Sequence, residues 1–285
     1  MCLVVTHSYN TRMKLTSALT ALAADPHAPA DLARVALLIA RDAYSAMSPR
    51  AYLRRVERLA DQLRPRLRGS LAARTAELTT FLFEECGFAG NTENYYDPRN
   101  SYLNKVLDRQ VGLPIALSVL AVAVGERAGL NVVGVGLPGH FIAKAVSGHE
   151  AVLFDPFNGG QFLDVEACEA LVGGVTGRPF EATPEALAAT PPGAIVARML
   201  QNLKTAYMAD RSYVRAARVT RRLAQLIPGD PTQRRDLGVL LVQADRPGPA
   251  IDPLRAYLRA QPDAEDAPEV EKFLTKALTE VSRWN

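Results

Sequence analysis

The sequence predicts an α+β fold, mainly helical, with one small antiparallel sheet and a helical tail. Three observations support it. Up to Gly87, apolar residues recur at helical spacing, as in Leu32, Val35, Ala36, Ile39 and Ala43. Between residues 131 and 154 the pattern changes to three short apolar or β-branched runs (131–137, 141–146 and 151–154), parted by Pro-Gly and Ser-Gly turns. Beyond Gly193 the helical spacing returns and repeats at an offset of 34 residues, with Ala216, Arg221 and Pro228 matching Ala250, Arg255 and Pro262.

The elements follow in order. Residues 1–12 carry little pattern, and 16–24 form a short helix before an Asp-Pro turn. The next helix begins after Pro29 and Asp31. Ser48 and Pro49 supply an N-cap and a first-turn proline for a helix reaching Leu63, apolar on one side and arginine-rich on the other. A further helix spans 70–86 and stops at Gly87. The segment 87–112 is an ordered loop rich in Tyr, Asn and Asp, with a short helix over 101–109; its side chains either pack the loop onto the core or line a site. Pro114 opens a helix that is apolar on all sides through Val124, so it is buried. After the strands comes an Asp155-Pro turn, then a helix over 164–172.

Composition excludes several function classes. Hydrophobic residues make up 48% of 285 and charged residues 22%, enough for a real core. The longest apolar runs fall well short of the roughly 20 residues that cross a bilayer, and no secretion signal opens the chain, so a cytoplasmic protein without a membrane partner is expected. Cys2, Cys86 and Cys168 form no CxxC pair, and His7, His27, His140 and His149 show no HxxxH or HExxH spacing, so no metal is expected. Gly134, Gly136 and Gly139 have the bare spacing of a dinucleotide fingerprint but precede a strand, and no other cofactor motif is present. A net charge of +3 gives no nucleic-acid footprint. The row Arg211, Arg215, Arg218, Arg221 and Arg222 is either a solvated helix face or a site for acidic partners.

Four motifs, Asp97-Pro-Arg-Asn-Ser-Tyr-Leu-Asn, Gly112-Leu-Pro-Ile-Ala-Leu-Ser, Pro138-Gly-His-Phe and Asp155-Pro-Phe-Asn-Gly-Gly, stand in an order that resembles the bacterial SirB-one family. The resemblance implies a papain- or transglutaminase-like core, residues 1–182 with the N-terminal helices as scaffold, followed by a tetratricopeptide-like helical region, 183–285. The proline-rich stretch 183–193 marks the boundary.

In transglutaminase-like enzymes a cysteine at a helix N-terminus attacks a carbonyl, with a strand histidine and a strand-end aspartate beside it. The resemblance places His140 and Asp155 in the last two roles and Pro114 where the cysteine belongs. Proline has no nucleophile. Ser118, one turn later, is the replacement to weigh, although a serine in a buried helix usually bonds the carbonyl four residues back. His140 and Asp155 have an alternative, purely structural reading as a hydrogen-bonded pair beside a turn. Cys86, at a helix end, reads as a small buried hydrophobe. Tyr96, Asp97, Arg99, Asn100, Pro114 and Asn158 are the candidate binding residues. The expectation is therefore a protein- or peptide-binding adaptor without thiol catalysis. The alternative is an amide or ester hydrolase, or acyl transferase, using His140 and Asp155 with a non-cysteine nucleophile. Substrate and oligomeric state are not encoded in any recognisable motif.

Overall fold

Side-chain caps fix the helices that begin at Leu32, Pro49 and Leu71 where the sequence places them. In the computed structural model, which describes residues 14–283, α1 (Leu15–Ala24) is followed by α2 (Leu32–Ala43), whose first-turn Arg34 N–H is accepted by Asp31. Ser48 caps α3 (Pro49–Leu63) and Ser70 caps α4 (Leu71–Thr79), each accepting a backbone N–H three residues on. Cys2, His7 and the weakly patterned start lie outside the described residues.

The helix expected over 70–86 covers that distance, but its second half, Thr80–Glu85, is wound as a π-helix. Phe81, Leu82 and Phe83 are consecutive and all buried. The wider turn narrows the arc over which three neighbours project, so all three reach the core. Gly87 then turns the chain in a left-handed conformation, φ +72°.

The following loop has the short helix expected over 101–109, together with a strand pair and a 3₁₀ turn that left no sequence signal. Ala89–Gly90 (β1) pairs in parallel with Val111–Gly112 (β2), closing the loop at its base. Within it lie a 3₁₀ turn, Pro98–Ser101, and α5 (Leu103–Arg109). Next comes α6 (Pro114–Ala128), buried from Pro114 through Gly125 and packed against α3 and the large sheet. Gly129, at φ +98°, ends it.

The sheet is a meander, β3 (Val132–Leu137), β4 (His140–Ser147), β5 (Glu150–Asp155) and β6 (Gln161–Leu163), all antiparallel. The expected three strands are present. The fourth, β6, was not expected: Phe162 is 42% exposed, so no apolar run announces it. Strand β4 starts one residue earlier than its apolar run, because His140 pairs with Leu137 across the Pro138–Gly139 turn. Phe141, Ala143 and Ala145 join the main helical core, while Ile142 enters a smaller cluster with Cys168 and Val172 of α7 (Val165–Thr176). This is the period-two alternation of a two-sided sheet.

The tail is five helices: α8 (Pro192–Ala209), α9 (Tyr213–Leu226), α10 (Thr232–Gln243), α11 (Pro247–Ala260) and α12 (Ala267–Ser282). Pro192, read as part of the proline-rich boundary, is the first residue of α8, a position that tolerates proline's missing N–H. Consecutive helices pack on one another, and α9 and α11 keep the 34-residue offset of the sequence. At Gly238 a Cβ would come within 2.4 Å of Leu254, so glycine is what lets α10 and α11 approach. The first helix of the tail also packs on α1, α2 and α6, and one continuous apolar core includes residues of both the N-terminal helices and the repeats.

Candidate functional site

Chain direction brings His140 and Asp155 together at one end of the sheet, the first opening β4 and the second closing β5. His140 Nε2 lies 2.8 Å from Asp155 Oδ2. The carboxylate accepts twice more: Oδ2 from Asn158 Nδ2 at 2.7 Å and Oδ1 from the Phe157 N–H at 2.9 Å. The carboxylate holds the ring by Nε2, which leaves Nδ1 as the imidazole nitrogen turned away from it. Among the described residues nothing hydrogen-bonds Nδ1. The pair sits beneath the surface, His140 5% and Asp155 1% exposed. The Phe157 ring packs edge-on against the imidazole, centroids 5.9 Å apart, and Tyr95 packs edge-on against Phe157 at 6.1 Å.

Pro114 is in the first turn of α6, buried, with Leu113 as N-cap. The Leu113 N–H donates to the Asn100 carbonyl at 3.0 Å, which ties the helix start to the loop. Ser118 does not bond the carbonyl four residues back. Its hydroxyl donates to the Phe141 carbonyl of β4 at 3.4 Å, a long bond, and makes no hydrogen bond to His140. The tight packing of α6 on β4 explains this: the strand carbonyl replaces the helix's own as acceptor.

The loop candidates divide into two groups. Asn100 is fully buried and saturated: Nδ2 donates to the Asn94 and Tyr95 carbonyls at 2.7 and 3.3 Å, and Oδ1 accepts from Asn91 at 3.1 Å and Arg109 at 3.3 Å. Asp97 accepts the Arg99 backbone and side-chain N–H groups and pairs with Arg109 at 3.3 Å. Burial works against the Asp97 carboxylate, but the Arg99 hydrogen bonds and the Arg109 charge outweigh it and hold its pKa below the ordinary value. Tyr96, in contrast, is 66% exposed beside Tyr95. Asp97, Arg99 and Asn100 shape the loop; Tyr95 and Tyr96 are what it presents. Asn158 is drawn into the Asp155 network.

Arg198 and Phe157 complete the site. Neither was singled out in the sequence. Arg198, on α8, donates Nη1 to the Leu137 carbonyl at 2.9 Å and Nη2 to the His140 carbonyl at 2.7 Å, and lies over the Phe141 ring at 5.4 Å. A lone arginine in an amphipathic helix offers no signal of such a role.

The two described cysteines stand apart from this pair's hydrogen bonds. Burial, with the charges of Asp164 and Asp155 behind it, pushes the Cys168 thiol up to about 11. Burial and Glu85 raise that of half-buried Cys86. Neither has the lowered pKa of a reactive thiol. Among the described residues no group of three metal-binding side chains converges, and no helix is long and apolar enough to cross a membrane.

Comparison with known proteins fits this geometry. The family described as Transglutaminase-like superfamily matches residues 50–201, and that described as Tetratricopeptide repeat matches residues 203–275. A UPF0162 protein of Xylella fastidiosa (strain Temecula1) is 34% identical over 248 residues, covering 85% of this chain and 88% of its own. One of Vibrio cholerae is 28% identical over 212 residues, 74% and 78% of the two chains. The mouse F-box only protein 21 is 33% identical over 100 residues, 32% of this chain and 16% of its own. No solved structure matches. A helix-then-sheet core with its histidine–aspartate pair, a tail of repeated helix pairs and a relative similar along most of its length agree: the chain belongs to the UPF0162 family, a transglutaminase-like domain followed by tetratricopeptide repeats.

Proposed function

We propose that this chain is a protein- or peptide-binding adaptor built on a transglutaminase-like core without thiol catalysis. One observation bears most of the weight: Pro114 occupies the first turn of α6, where a thiolate would gain from the helix dipole, and it is buried there without a nucleophile. The hydrogen bonding of His140 and Asp155 fits a buried brace for the sheet end. Beside them Tyr95 and Tyr96 offer aromatic surface of the kind that anchors peptides. The tetratricopeptide repeats add a second surface suited to protein contact. No cofactor or nucleic acid enters this reading.

The test is a paired one. The purified full-length chain is incubated with p-nitrophenyl acetate and a glutamine-containing casein peptide, and covalent acyl-enzyme is sought by intact mass. Partner capture from lysate is run beside it with Tyr96→Ala as control. Stoichiometric capture that Tyr96→Ala weakens, with neither turnover nor mass increase, is expected. Rapid turnover would remove this reading.

A hydrolase or acyl transferase is the second reading. His140 Nδ1, opposite the nitrogen held by Asp155, has the arrangement of a general base. It requires the residues covering His140 to open and a nucleophile other than Ser118 as now bonded, such as water.

A further inference from the structure

The arginine row of α9 has a destination. Where the C-terminal end of α2 meets α9 there is a partly open cavity of about 170 Å³, sharing no residue with the His140 site. Its apolar walls include Leu15, Ile39, Leu200 and Val219. The rings of Tyr44, Tyr102 and Tyr207 stand among them. Arg215, Arg218 and Arg222 border it against a single acid, Asp42, an excess of two positive charges.

The three arginines are not equally engaged. Arg222 puts Nε and Nη2 on the Asp42 carboxylate at 3.2 and 2.6 Å, and Nη1 reaches Thr16 and Gln225. Arg218 donates only Nη1, to the Asp42 carbonyl at 3.1 Å. Arg215 lies 5.8 Å from the Tyr207 ring and donates to nothing among the described residues. The Tyr102 and Tyr207 hydroxyls satisfy each other at 2.8 Å, but the Tyr44 hydroxyl has no described partner. Nearby, Lys105 adds positive charge 4.9 Å above the Tyr44 ring, and Asp97 is already paired with Arg99 and Arg109. Burial keeps the Tyr44 phenol protonated, a donor.

Forked guanidinium donors over an apolar floor match an anion with an apolar body. A cavity of this size holds about one aromatic ring, since roughly 150 Å³ accommodates benzene, and its open side leaves the head group to the exposed arginines. We propose that this cavity binds a small organic oxyanion, a carboxylate or phosphate on a compact ring, with Arg215 and Arg218 on its oxygens and Tyr44 donating to it. Such a ligand would join the N-terminal helices to the repeat region.

Isothermal titration of the full chain at low salt, with phenyl phosphate, benzoate and inorganic phosphate as probes, tests this. One saturable site is expected, with phenyl phosphate or benzoate at least about tenfold tighter than inorganic phosphate. Which of the two binds tighter identifies the head group. Arg215→Gln and Arg218→Gln each weaken binding about tenfold, and Tyr44→Phe less, while Arg221→Gln on the same helix changes nothing. Circular dichroism melts of each variant confirm folding; both arginines are exposed enough that glutamine is tolerated. Three results would overturn the proposal: no saturable heat from any probe, unchanged affinity in folded Arg215→Gln and Arg218→Gln, or inorganic phosphate binding as tightly as the aromatic probes.

Discussion

The guanidinium of Arg198 lies 2.7 Å from the carbonyl oxygen of His140 and 2.9 Å from that of Leu137, so one side chain of α8 holds both ends of the turn that opens β4. The histidine is therefore fixed twice, by its ring on Asp155 and by its backbone on a helix 58 residues downstream. Arg198→Met removes two charged hydrogen bonds to carbonyls and the contact over Phe141. A loss of about 2–4 kcal/mol in urea unfolding is expected. Arg198→Lys recovers less than half, because one ammonium on a flexible stem does not reproduce a planar fork. An unchanged urea midpoint for Arg198→Met would show that the turn holds itself.

What was legible in the sequence is what local chemistry writes. Ser48 with Pro49, Ser70, Asp31 and Gly129 bound their helices because caps act on residues three or four away. The all-apolar run after Pro114 announced a buried helix, and the 34-residue echo announced the repeats. Long-range partners left no such mark. Arg222 meets Asp42 across 180 residues, Tyr102 meets Tyr207 across 105, and Arg198 meets a turn in another region. The pair β1–β2 is two residues long and β6 three, too short to show a period. His140 and Asp155 were found through motif resemblance; their burial was visible only once the sheet end was assembled.

Asp97 gives a pH-dependent prediction. Its carboxyl is held below the ordinary value, so it is ionised in the folded chain at pH values where the unfolded chain has begun to take up a proton. That linkage stabilises the fold above the unfolded pKa near 3.8 and is lost as pH falls through the folded value. Asp97→Asn should lower stability at pH 7, and its stability curve should meet that of the unmodified chain in acid. Urea midpoints measured from pH 7 to pH 2.5 decide it. Parallel curves at every pH would remove the titration of Asp97 from the account.

Thiol accessibility gives a third. Cys168 is wholly buried with its thiol pushed up to about 11, so at neutral pH it is neither exposed nor ionised. Iodoacetamide on the folded chain should modify Cys86, which is half-buried, before Cys168, and Cys168 only after unfolding. Peptide mass spectrometry reads both sites in one sample. Rapid modification of Cys168 in the folded chain would mean that a reactive thiol lies beside Asp155, and the adaptor reading would lose its chemical premise.

His140 separates brace from catalyst. Removing its ring deprives a carboxylate that is 1% exposed of one of three donors and leaves a cavity against Phe157. If His140 is a brace, His140→Ala costs about 2–4 kcal/mol, the range for a broken buried polar pair, and partner capture by the folded fraction survives. His140→Gln, which can still donate to Asp155, then recovers part of that stability without restoring any base. A catalytic His140 adds a chemical loss to that structural one. Any acyl transfer disappears, and glutamine rescues neither the rate nor its pH profile. Intact-mass assays run beside urea unfolding on the same two variants distinguish the readings, because only a catalytic His140 predicts a lost acyl transfer that glutamine does not restore.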